Sequence, residues 1–135
     1  MLKIYTSLVF SLLFALNTST ASAQTQLEKP TYVALTPSFV TNYGNEGSRL
    51  RYLKVDISVR VESMPHSHTV ENHAPQIRNQ IILLLSQQNS DGVNTHEGRQ
   101  QLREDALKAV QEILLAEEGE EMVTDLLFDN FVVQS

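Results

Sequence analysis

Leu53-Lys-Val-Asp-Ile-Ser-Val-Arg-Val61 alternates without a break. Leu53, Val55, Ile57, Val59 and Val61 are apolar, and Lys54, Asp56, Ser58 and Arg60 lie between them. A two-residue period sends successive side chains to opposite faces of a strand. This stretch therefore has one buried face and one solvated face, as in an antiparallel sheet covered on one side. The segments around it must supply strand partners and a cover.

Upstream, Thr31 to Tyr43 reads as extended, with Tyr32, Val33, Leu35, Phe39 and Val40 broken by Pro37. A proline inside a strand points to a sheet edge or a bulge. Gly44-Asn-Glu-Gly47 is a turn, so the extended segment and the alternating strand form a hairpin.

Downstream, Met64-Pro-His-Ser-His68 is expected to end the strand. His73-Ala-Pro-Gln-Ile-Arg-Asn-Gln-Ile-Ile-Leu-Leu-Leu-Ser86 then reads as a helix. Pro75 suits a first helical turn, where its missing N–H has no intrahelical role. A short turn over Thr69 to Asn72 is expected before it, leaving the helix kinked or split. Ile77, Ile81, Leu84 and Leu85 share one stripe, with Gln76, Asn79, Gln80 and Gln87 opposite. Leu83 projects among the polar residues and Ile82 sits at the flank. Two readings of Leu83 stand: a second core layer covers it, or Leu83 and Ile82 meet another subunit.

Gln87 to Asn94 is a polar loop with a turn signal at Asp91-Gly92. Asn94 or Thr95 caps a second long helix, and Glu97 complements its positive end. Leu102, Ala106, Ala109, Val110 and Ile113 form its apolar stripe, widened by Leu107 and Leu114. Glu104 and Lys108 have the favourable i, i+4 order for an ion pair. Gly119 is the stop. Met122 to Gln134 closes as a strand whose Leu126-Leu-Phe128 and Phe131-Val-Val133 blocks do not alternate, so both of its faces are expected to be covered. The expected fold is α+β: a small antiparallel sheet packed against two or three helices.

Residues 1–23 stand apart from this fold. Lys3 supplies the positive charge, Ile4 to Leu16 is a mostly apolar run, and Ala21-Ser22-Ala23 is a small-x-small cleavage site before Gln24. These are the three parts of a secretory signal peptide. An uncleaved anchor is the competing reading, but a span takes roughly 20 predominantly apolar residues. Thr6, Ser7, Ser11 and Asn17-Thr-Ser-Thr20 interrupt the run. Cleavage after Ala23 would leave a polar, flexible lead-in over 24–30 and one domain over 31–135. Lys3 would go with the signal, so the acidic side chains would outnumber the basic ones further. An acidic domain without a basic stripe is a poor match for nucleic acid or anionic lipid. With no cysteine, a lipobox and a disulfide are both excluded, so packing must supply stability.

Chemistry on a substrate has little support. There is no Gly-x-Ser-x-Gly elbow, phosphate loop or His-Glu-x-x-His. No cofactor is implied, and the chain reads as no enzyme. His66, His68 and His73 are close in sequence and form the alternative reading, a periplasmic binding module that holds a metal. His96 is expected to be exposed in a first helical turn. Glu117-Glu-Gly-Glu-Glu121 lacks the alternating oxygen ligands of a calcium loop. It is expected to be a solvated turn, or else a contact with a basic partner.

Several segments taken in order resemble one family. They are Tyr32-Val-Ala-Leu35, Pro37-Ser-Phe-Val-Thr-Asn42, Arg51-Tyr-Leu-Lys-Val-Asp56, His73-Ala-Pro-Gln-Ile-Arg-Asn79, Leu84-Leu-Ser86, Thr95-His-Glu-Gly98 and Phe128-Asp-Asn-Phe-Val-Val-Gln134. Their order and spacing resemble the periplasmic domain of the flagellar basal body-associated protein FliL family. The resemblance implies a stomatin-like (SPFH-like) domain and an accessory role in motility at the flagellar basal body. It also implies association with the stator and a homo-oligomeric ring, with no catalytic residues. Family members usually carry a cytoplasmic tail, a membrane span and a linker; here a short signal-like segment stands in that place. The expected location is the periplasm, tethered to the inner membrane if the segment is retained. Ring closure needs a heterologous interface, for which Ile82, Leu83 and Leu115 are the candidate contacts.

Overall fold

The computed structural model describes residues 29–44 and 49–134. The signal segment with its Ala21 and Ala23 cleavage site, most of the lead-in, and residues 45–48 of the first turn lie outside the described residues.

The alternating stretch is the centre of the sheet. Strand β3 (Tyr52–Val61) buries Leu53, Val55, Ile57, Val59 and Val61. It pairs antiparallel with three segments: β1 (Thr31–Ala34), β2 (Phe39–Asn42) and β4 (Val123–Gln134). Strand β4 follows one edge of β3 from Tyr52 to Val61. Strands β1 and β2 therefore share the other edge, end to end. Helices α1 (Met64–Asn72), α2 (Ala74–Ser86), α3 (Ser90–Asn94) and α4 (His96–Glu118) connect β3 to β4. The helices that reach the sheet pack on its core face: α1 on β1 and β3, α2 on β2, α4 on β4. The fold is the expected α+β, two layers thick.

Pro37 breaks the extended segment as its chemistry requires. The amide of Leu35 still donates to the Ile57 carbonyl, at 2.9 Å. Pairing resumes at Phe39 opposite Val55. Residues 36–38 thus stand opposite Asp56 alone. Two extra residues leave the pleat in phase, so Val33, Leu35, Phe39 and Tyr43 all reach the core. Arg78 of α2 holds this break. Its Nη1 donates to the carbonyls of Leu35 (2.8 Å) and Pro37 (2.6 Å), and its guanidinium lies 4.1 Å from the Phe39 ring centroid.

The irregular blocks of β4 have a related cause. Register shifts occur at Asp56/Ile57 and Arg60/Val61, leaving Asp129 and Thr124 as extra residues on β4. Each single insertion reverses the phase of the strand. Val123, Leu126, Phe128, Phe131 and Val133 consequently pair with the five inward residues of β3. The expectation that both faces of β4 are covered is corrected: Val132, paired with Lys54, is exposed on the outer side.

The helices bring three further corrections. Helix α1 begins at Met64, earlier than the expected turn at Thr69, because Ser63 caps it by accepting from the His66 amide and Pro65 fits its first turn. It is separated from α2 at His73, because Pro75 has no N–H to donate to the preceding turn. The loop expected over 87–94 contains α3, capped by Asn89, whose side chain accepts from the Gly92 amide at 2.8 Å. Glu104 does not pair with Lys108. It accepts from Gln100 at 2.9 Å, while Lys108 meets Glu112 at 3.9 Å.

Helix α4 starts and stops where expected. Thr95 accepts from the Gly98 amide at 3.0 Å, and Gly119 ends the helix with φ 76°. Its buried residues are Leu102, Ala106, Val110 and Leu114, spaced by four. Ile77, Ile81 and Leu85 of α2 meet them in a continuous core.

Candidate functional site

Helices α2 and α4 run antiparallel, so the start of α2 lies beside the end of α4. His73 Nε2 is 2.6 Å from Glu118 Oε1, and Gln76 Nε2 donates to Glu117 at 3.4 Å. One layer over, His66 Nε2 of α1 is 3.4 Å from Glu120 Oε1. These contacts fix the acidic turn after α4 against the α1–α2 corner.

Beside that turn lies a groove of about 710 Å³, lined by Leu115, Met122 and Val123 together with Glu62, His66, Gln111, Glu120, Glu121 and Thr124. Its apolar part is made by Leu115, 49% exposed, and by Met122, half-buried on a left-handed backbone, φ 58°. Three carboxylates converge on it from two directions, Glu62 after β3 and Glu120 and Glu121 after α4. Thr124 donates to Glu62 at 3.0 Å. Among the described residues, no lysine or arginine lines the groove, and Nδ1 of His66 is buried there without a hydrogen-bond partner.

Four arginines are occupied elsewhere. Arg78 serves the Pro37 break, and Arg99 donates to the Val93 carbonyl at 2.7 Å and stacks over Phe131. Arg103 reaches Asp125 at 2.8 Å and the Leu126 carbonyl at 3.2 Å, and Arg51 donates to Ser90. Arg60 approaches Glu62 at 3.6 Å.

The other uncovered surface is the outer sheet face. Tyr32, Val40, Tyr52 and Val132 are exposed there, and Val40, Tyr52, Lys54, Val132 and Gln134 line a shallow depression of about 330 Å³. The alternation of β3 implied this bare face. Its apolar members come from segments far apart in the chain, and only pairing to β3 brings them together.

The three expected contact residues do not form one patch. Leu83 is 47% exposed, and no second layer among the described residues covers it. Ile82 is half-buried and packs against the core. Leu115 lies in the groove, near the opposite end of the α2–α4 pair from Leu83. The groove as a whole was missed. Its parts were legible as Leu115, His66 and the acidic turn, but Glu62 and Met122 enter only through the topology.

His66, His68 and His73 face three different carboxylates. His68 is 3.6 Å from Glu71, on its own helix, and the other two meet Glu120 and Glu118. Among the described residues, no three histidine or carboxylate side chains are placed to share a metal ion. Nor is any helix among them long and apolar enough to cross a membrane.

Fold and surface thus define a small α+β domain with a one-sided sheet and an acidic groove. The flagellar basal body-associated protein FliL family matches residues 32–134, from β1 to the last residue of β4. The flagellar protein FliL of Aquifex aeolicus (strain VF5) is 31% identical over 100 residues, covering 74% of this chain and 59% of that protein. The flagellar protein FliL of Escherichia coli (strain K12) is 25% identical over 111 residues, covering 82% of this chain and 70% of that protein. The chain belongs to the flagellar basal body-associated protein FliL family.

Proposed function

We propose that this chain is a non-enzymatic accessory of the flagellar motor. It acts in the periplasm at the basal body, beside the stator units, and supports rotation by holding other proteins. The observation that carries this reading is the extent of the family match, which takes in every described strand and helix. The surfaces agree with such a role. Leu83 is an exposed apolar side chain on the helical layer, where a contact with a neighbour of a homo-oligomeric ring would form. The amino-terminal segment delivers the domain to the periplasm, and cleavage after Ala23 releases it from the inner membrane.

Deletion of the gene tests the role. Swimming or swarming under load is expected to fall and to be restored by the intact gene. Undiminished motility in liquid and in viscous medium would sink the proposal. The mass of the exported protein tests the amino terminus: a chain beginning at Gln24 is expected, and one that retains Met1 means anchoring.

A further inference from the structure

We propose that the groove between α1, the end of α4 and the start of β4 is a docking site for a cationic, apolar segment of a partner protein. The inference rests on the motor-accessory reading and names the chemistry of the partner. The occupant is set by charge and shape together. Leu115 is exposed and Met122 is half-buried beside it, and together they form the apolar floor of the groove. Around that floor stand Glu62, Glu120 and Glu121, with His66 but no lysine or arginine among the described lining residues.

Four arginines are engaged elsewhere, while Arg60 reaches the groove at Glu62, 3.6 Å away. Arg51, Arg78, Arg99 and Arg103 each bind an internal acceptor on another element. With Arg60 and His66 meeting Glu62 and Glu120 at 3.6 and 3.4 Å, Glu121 has no basic partner among the described residues and is the charge left for an outside cation. His66 and His73 hold the acidic turn in place through Glu120 and Glu118, so the groove is shaped before the partner arrives. A lysine or arginine of the partner sits between Glu62 and the Glu120–Glu121 pair, and an adjacent leucine-like side chain covers Leu115 and Met122. Complementary charge raises the encounter rate and fixes the register, while the apolar contact supplies affinity.

The test uses the full chain and a short synthetic peptide of alternating lysine and leucine, followed by amide NMR shifts. Shifts are expected to concentrate at Leu115, Glu120, Glu121, Met122 and Thr124, and affinity to fall as salt rises. The double variant Glu120→Gln, Glu121→Gln is expected to bind about five- to tenfold more weakly. Leu115→Ser should weaken binding as well, and Leu83→Ser should leave it unchanged. Unaltered far-UV spectra and melting temperatures of the variants establish that the fold is intact. Shifts scattered over the surface, or equal affinity for parent and double variant, would overturn the proposal. A motility defect on gene deletion that the double variant fully rescues would overturn the docking site and leave the motor role standing. Specific groove binding in a chain whose deletion leaves motility intact would remove the motor role instead.

Discussion

At its first turn α4 has a partner for each exposed polar group that matters: Thr95 caps it, Glu97 complements the positive end of the helix, and Arg99 and Arg103 tie the next turn to the Val93 carbonyl and to Asp125. At its last turn the charges run the other way. Glu117 and Glu118 sit where the carbonyl ends already carry partial negative charge, and Glu120 and Glu121 follow directly, with no basic residue in that turn. One end of the same helix is arranged for stability. The other carries charge that opposes the helix and is offset in part by His73, Gln76 and His66. Substitutions that distinguish the two ends test whether this division is real.

The largest difference is expected from a leucine at each end. Leu102 is fully enclosed between α4 and the sheet, so Leu102→Ala should cost about 2–5 kcal/mol in denaturant unfolding. Leu115 stands in the open groove, and Leu115→Ala should change stability by less than about 0.5 kcal/mol. Comparable losses at both positions would erase the contrast. Next comes Arg103→Ala. It removes the ion pair to Asp125, which keeps the Leu126 amide, and the bond to the Leu126 carbonyl, so a loss of about 1 kcal/mol is expected for a partly exposed charged bond. Thr95→Ala removes the cap alone, at about 1 kcal/mol, and should increase hydrogen exchange at the Gly98 amide.

The sequence was readable in this molecule wherever one period ran without interruption. The alternation from Leu53 to Val61 placed the central strand and its inward face, and the stripe of Leu102, Ala106, Ala109, Val110 and Ile113 placed α4, although its buried line runs through Leu114 rather than Ala109 and Ile113. Legibility failed where a residue was inserted. Asp129 and Thr124 each shift β4 by one position, so a strand with a single apolar face looked two-sided. It failed again at Ser63, whose capping hydrogen bond starts a helix just ahead of a proline that resembled a stop. The groove was illegible for another reason. Glu62 and Glu121 are separated in the chain by all four helices, and nothing local says that β3 ends beside the turn after α4. Only the antiparallel return of β4 along β3 puts them together.

The smallest effect is the most discriminating, because its sign differs from the others. Glu117 lies in the last turn of α4, and its contact with Gln76 is long, at 3.4 Å. Glu117→Lys removes a charge of the unfavourable sign from that turn and installs one of the favourable sign. Stability should rise by about 0.3–1 kcal/mol, seen as a higher urea midpoint with an unchanged slope. Added salt should shrink the gain, since exposed charges at helix ends are screened. A lower midpoint would mean that the acidic turn supports the fold and that both ends of α4 serve stability alike. A higher one means that the chain carries at this end a feature folding does not require. Local conflicts of that kind are where sequence follows a need other than stability, here the negative charge presented beside Leu115 and Met122.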